Sequence, residues 1–160
     1  MIRLLKQPST LWVLFALFVL ETLGFGVIML VWDFQIIDEM WNPDELRVHI
    51  GAMTPVQRTV HAWMTATLDV AYPLTYGPLF CGLALRYLSA SFAWPAVLVV
   101  PTDLLEGFVQ VMVLTGHDQL LWLKAYVTPA KLVLFILAVL IAVLAVSAGI
   151  RRARYFKKEG

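Results

Sequence analysis

The sequence predicts an all-α polytopic membrane protein, a bundle of four transmembrane helices kinked at internal prolines, with a short outer-surface helix between the first and second. Three observations carry that prediction. Of the 160 residues 61% are hydrophobic and only 14% charged, and the mean hydropathy is +0.80; a soluble domain carries about a quarter charged residues. Four apolar stretches, at roughly 11–32, 60–88, 92–116 and 121–150, reach the length of about 20 residues that crosses a hydrocarbon core of about 30 Å. The cations are unevenly placed: Arg3, Lys6, Arg86, Arg151, Arg152, Arg154, Lys157 and Lys158 fall on one side, and Arg47, Arg58 and Lys124 on the other. By the positive-inside rule both termini are then cytoplasmic.

The first span follows Arg3 and Lys6. It is read as a span and not as a cleaved secretory signal, because Glu21 interrupts it, no A-x-A site follows and apolarity continues to Trp32. Tryptophans agree with the topology, with Trp12 and Trp94 at the inner boundary and Trp32, Trp63 and Trp122 at the outer one. The 33–53 segment is the sizeable soluble part. In it Asn42-Pro43-Asp44-Glu45 reads as an N-cap, a first-turn proline and two acids matched to the helix dipole, with Gly51 as the stop. Thr54-Pro55-Val56-Gln57 has capping-box spacing, so the second long helix starts before the membrane and runs about 34 residues, or about 50 Å, with Arg58 in water. No repeat or low-complexity linker divides the chain, which is read as one transmembrane domain over 1–160.

Composition also excludes. A formal net charge of +1 leaves no basic excess for nucleic acid, and a lone cysteine, Cys81, allows neither an intrachain disulfide nor a Cys-rich metal motif. The sequence has no C-x-x-C-H, H-E-x-x-H, Glu-x-x-His, G-x-S-x-G or P-loop, so covalent haem, zincin, di-iron bundle and the matching hydrolase and NTPase designs lack support. No cofactor and no metal is expected. His61 and His117, near the outer boundary on antiparallel spans, are the positions a bis-histidine haem would use, although boundary histidines are common without a ligand.

The functional clue is the set of ionisable residues inside the spans: Glu21, Asp69, Asp103, Glu106 and Lys131. An acid at mid-span costs about 2.5–3.5 kcal/mol on insertion scales, so such groups face the bundle interior. At about 100° per residue, His61, Thr65, Asp69, Tyr72 and Tyr76 share a strip about 80° wide on the second span. Asp103, Glu106, Gln110 and His117 share one about 60° wide on the third, and Lys124, Thr128 and Lys131 align on the fourth. Lys131 is therefore expected to pair with Asp103 or Glu106. Pro73, Pro101 and Pro129 lie close to these charges, and kinks there suggest a hydrated cavity; the tract Tyr72-Pro73-Leu74-Thr75-Tyr76-Gly77-Pro78 is expected to be locally irregular and to line it. Four buried carboxylates against one buried lysine is an excess that protons, a cation or a cationic ligand must balance. The candidate ligand- or proton-binding residues are thus Asp69, Tyr72, Tyr76, Asp103, Glu106, Gln110, Lys131 and Glu21; no catalytic residue is assigned.

Leu68-Asp69-Val70-Ala71-Tyr72-Pro73-Leu74-Thr75-Tyr76-Gly77, Asp103-Leu104-Leu105-Glu106-Gly107 and a Lys-containing fourth helix resemble a group of uncharacterised bacterial four-helix membrane proteins. Asn42 to Glu45 and Thr54 to Arg58 fit the same pattern, so the resemblance covers most of the chain; it implies no activity. Where that group has Asn after the third-helix Glu, this chain has Gly107. In layout alone the span order is similar to the sterol isomerase and sigma-2 receptor superfamily, which implies sterol-like or cationic amphiphiles beside intramembrane acids. Small multidrug transporters also have four spans and an acid on the first, as Glu21 is here. Three readings stay open: a protein binding a lipid or small amphiphile, catalytically or not; a structural or assembly subunit of a larger membrane complex; and a proton- or cation-coupled small transporter. Membrane lipids are the expected partners, with a homo-oligomer or larger complex as the alternative.

Overall fold

In the computed structural model, which describes residues 2–159 and their side chains through residue 155, helix follows helix with no strand among the described residues. The single turn α1 (Ile2–Leu5) precedes α2 (Pro8–Trp32), α3 (Pro43–Ala52), α4 (Pro55–Tyr87), α5 (Trp94–Leu114) and α6 (Leu121–Glu159). Short 3-10 turns at Ala90–Ala93 and Asp118–Leu120 lead into α5 and α6. Helices α2 to α5 each carry a proline in the first two positions, where a missing N–H leaves nothing unpaired. The two caps read from spacing are formed. Asn42 Oδ1 accepts from the Asp44 N–H at 3.0 Å, and Thr54 and Gln57 make the reciprocal capping box. The Gln57 amide also donates to the Asp33 carbonyl at 2.8 Å, tying the end of α2 to the start of α4.

Three helical segments, Pro8–Trp32, Ala90–Leu114 and Asp118–Tyr155, are long and apolar enough to cross a membrane. The fourth long helix, α4, has 33 residues but keeps a polar face of His61, Thr65, Asp69 and Thr75, all buried against its neighbours. It is the central element: α2, α5 and α6 all pack on it, and α5 also packs on α6. Close approach to α5 depends on Gly77, where an added Cβ would fall 2.2 Å from Val100 Cγ2. By contrast α2 and α6 hardly touch. One apolar cluster, with Leu11, Leu79, Phe80, Val99, Ala138 and Ala142, fills the bundle near the start of α2. A second caps the opposite end, where Leu46 and Ile50 of α3 and the fully buried Ile37 meet Val109, Val113 and Leu121.

Two local expectations are corrected. The tract from Tyr72 to Pro78 is not irregular; α4 runs helically through both Pro73 and Pro78. The third helix stops at Leu114, because Gly116 takes φ +102° and turns the chain, so His117 lies outside the helix on which the strip had placed it. Beyond the apolar stretch 121–150 the helix of the fourth span continues through the basic residues to Glu159.

Candidate functional site

The polar faces of α4, α5 and α6 meet in a ladder of buried charges. Glu106 has no exposed surface; its Oε1 accepts from Lys124 Nζ and from the Thr128 hydroxyl at 2.8 Å, and its Oε2 accepts from Lys131 Nζ at 2.7 Å. Lys131 Nζ also stands 3.4 Å from Asp103 Oδ1, while Asp103 Oδ2 accepts from the Tyr76 hydroxyl at 2.6 Å. In the other direction Lys124 donates to Gln110 Oε1 at 3.0 Å. The Gln110 amide then reaches Thr65 Oγ1 at 2.9 Å and Asp38 Oδ1 at 2.8 Å, with His61 Nε2 at 3.3 Å. The chain of contacts thus runs from the loop before α3 to Tyr76 in the middle of α4. Charge-assisted bonds of this kind are worth having only when every member is satisfied, and for Glu106, Lys124 and Lys131 they are.

Lys124, on the same face as Thr128 and Lys131, has no exposed surface and is a second lysine partner of Glu106 beside the expected Lys131. Its four-carbon stem lets a residue at the helix start turn its ammonium inward to a carboxylate. The charge balance changes accordingly: among the described residues the buried acids are Asp69, Asp103 and Glu106, and the buried lysines Lys124 and Lys131. Glu21 is only half-buried and stands apart, its Oε1 accepting from the Thr75 hydroxyl at 2.9 Å across the α2–α4 contact. One acid is left over. Asp69 is 6% exposed and its Oδ2 has no hydrogen-bond partner.

Asp69 lines a cavity of about 350 Å³ that lies where α2 and α6 part. Its polar lining is Asp69, Asp103 and Lys131, with Asp38 and Glu39 of the loop, and its aromatic lining is Phe25, Tyr72, Tyr76 and Phe135. On the same α2–α6 seam, beyond Phe18, Phe80 and Phe135, which pack edge-on or tilted, a second cavity of about 500 Å³ is lined by apolar residues including Leu11, Phe15, Leu83 and Ile150. Of the sequence candidates, Asp69, Tyr72, Tyr76, Asp103 and Lys131 therefore surround one space, Glu106 and Gln110 lie behind it in the ladder, and Glu21 does not line it.

The two histidines are not brought together as haem ligands. His61 is buried, stacked on Phe34 and beside Gln110, whereas His117 is exposed, its Nδ1 3.2 Å from the Met112 carbonyl oxygen. Nor do three or more His, Cys, Asp and Glu side chains among the described residues form a metal-binding group. Sequence reasoning missed Asp38. The signal was Ile37 directly ahead of it, an apolar loop residue that is fully buried and so anchors Asp38 beside Gln110. Comparison of the chain with protein families, with curated proteins and with solved structures finds no match.

Proposed function

We propose that the chain is a four-span integral membrane protein of a bacterial inner membrane, with both termini cytoplasmic, that binds a lipid or small amphiphilic ligand in the seam between α2 and α6. The observation that carries the reading is the cavity at Asp69, Asp103 and Lys131, a polar space on a seam that two long helices leave open. Ligand sites of this size combine mostly apolar walls with a few fixed polar groups. The apolar cavity farther along the same seam offers a place for a hydrocarbon portion. Exposed tryptophans at two levels, Trp12 and Trp94 at one end and Trp63 and Trp122 at the other, support the membrane placement. In this reading α4 crosses too, its polar face sheltered by α2, α5 and α6.

Native mass spectrometry of the full chain, released from membranes under mild conditions, tests the proposal beside Asp103→Asn. A stoichiometric adduct on the parent chain that is lost or reduced in the variant is the expected result. A bare chain in both would favour the second reading, a structural subunit, which the fully satisfied contacts of Glu106 with Lys124 and Lys131 support by themselves, since polar contacts hold membrane helices together.

A further inference from the structure

The chain gathers its cations at one end. Eight of its twelve lysines and arginines, but one of its eleven acids, belong to its first six residues, the last turn of α4 and its final ten residues. Two glycines bring these segments together. At Gly82 the α1 turn lies so close on α4 that an added Cβ would fall 2.5 Å from the Leu5 carbonyl oxygen, and at Gly149 of α6 one would fall 2.8 Å from Cε1 of Tyr87.

Arg86 is the cation of this end that the fold holds in place. It is half-buried, its Nη1 donates to the Lys6 carbonyl, and its guanidinium carbon stands 5.3 Å from the centre of the Tyr87 ring. Its Nε has no hydrogen-bond partner, and among the described residues no carboxylate pairs with it. Tyr87 in turn lines the apolar cavity of about 500 Å³, with Leu11, Phe15, Leu83, Gly149 and Ile150. The exposed Trp12 lines it too, a residue type that favours the headgroup level.

An arginine without a counter-ion beside a hydrocarbon-lined space between helices is matched by one kind of molecule. A guanidinium binds phosphate oxygens, and the space takes an acyl chain. A zwitterionic headgroup would carry its own ammonium into the same group of cations, whereas an anionic one brings the missing charge. Resting on the membrane placement proposed above, but not on a ligand at Asp69, we infer that this end of the α2–α6 seam binds an anionic phospholipid, with its phosphate on Arg86 and one acyl chain in the apolar cavity. The rings of Phe18, Phe80 and Phe135 stand between this position and the polar cavity, so it is a second site.

The test is native mass spectrometry of the full chain in a neutral detergent at physiological salt, titrated with dioleoyl phosphatidylglycerol or dioleoyl phosphatidylcholine. A chain that leaves membranes only with detergent reports the membrane placement separately. One phosphatidylglycerol per chain, held about tenfold or more tighter than phosphatidylcholine, is expected. Arg86→Gln should lower phosphatidylglycerol to the level of phosphatidylcholine. Ala153→Phe, which fills the cavity from the exposed end of α6 without changing charge, should remove the adduct. Arg151→Gln deletes a charge from the same end, but on the face of α6 away from Val146, Gly149, Ile150 and Ala153, and should leave binding nearly unchanged, because salt screens an exposed charge. Thermal melts report folding; if Arg86→Gln does not fold, the preference of the parent chain and the loss of its adduct in Ala153→Phe decide. Equal affinity for the two lipids, no adduct at all, an adduct that survives in folded Arg86→Gln or Ala153→Phe, or equal losses in Arg86→Gln and Arg151→Gln, as diffuse attraction to a basic surface would give, would each overturn the site.

Discussion

Glu106 accepts from Lys124, Thr128 and Lys131 while wholly buried, and its removal leaves two ammonium groups without their main partner. Breaking a buried pair from one side costs about 3–5 kcal/mol. Glu106→Gln should therefore lower stability by about that amount, measured by unfolding in mixed detergent micelles. Lys124→Met should cost less, because Lys131 still neutralises Glu106. The sequence placed Lys131 beside an acid by depth and face, and depth is what hydropathy reports well. The alignment of Lys124, Thr128 and Lys131 on one face pointed to the ladder, whereas the pairing of Lys124 with Glu106 was not legible, because position along a helix does not say which way a flexible stem turns. That Asp69 would remain without a partner was not legible, since it depends on which of several nearby acids the lysines choose.

At the level of the helix, two positions make the architecture testable. Gly77 allows α4 and α5 to approach, and a methyl group there meets Val100 Cγ2 at 2.2 Å. Gly77→Ala should destabilise by about 1–3 kcal/mol, the usual cost of overpacking. Adding Val100→Ala should recover most of it, because the nearest atom is a side-chain methyl; both are read from thermal melts. Loss of the capping hydroxyl in Thr54→Ala should cost about 1 kcal/mol. Helix starts were legible because a cap is a local matter of four residues, as Asn42 to Glu45 and Thr54 to Gln57 show. The end of α5 at Leu114 was also written locally, in Gly116, but the strip through His117 was drawn across it. The tract with Pro73 and Pro78 stayed helical, for within a packed bundle neighbouring groups compensate a missing N–H.

For the whole molecule, the all-helical class was carried by composition and period, which need no knowledge of contacts, whereas the α2–α6 seam arises from what fails to pack and leaves no mark in any one segment. Four crossings place both ends of the chain on one side; three would place them on opposite sides. Reporter fusions to alkaline phosphatase, which is active only outside the cytoplasm, should be inactive at the C-terminus and active when inserted beside Gly51. Activity at both places would refute the four-span topology. The ladder also bears on how such a chain is made. Its acids lie on α5 and its lysines on α6, and only the short turn after Leu114 separates the two helices. Offered singly to a translocation channel, either helix brings two charges, and a charge near mid-depth costs about 2.5–3.5 kcal/mol. Offered as a hairpin, they arrive already neutralised. In the proposed membrane placement, α5 made without α6 would carry Asp103 and Glu106 without their lysine partners, so the two helices are expected to insert as a pair.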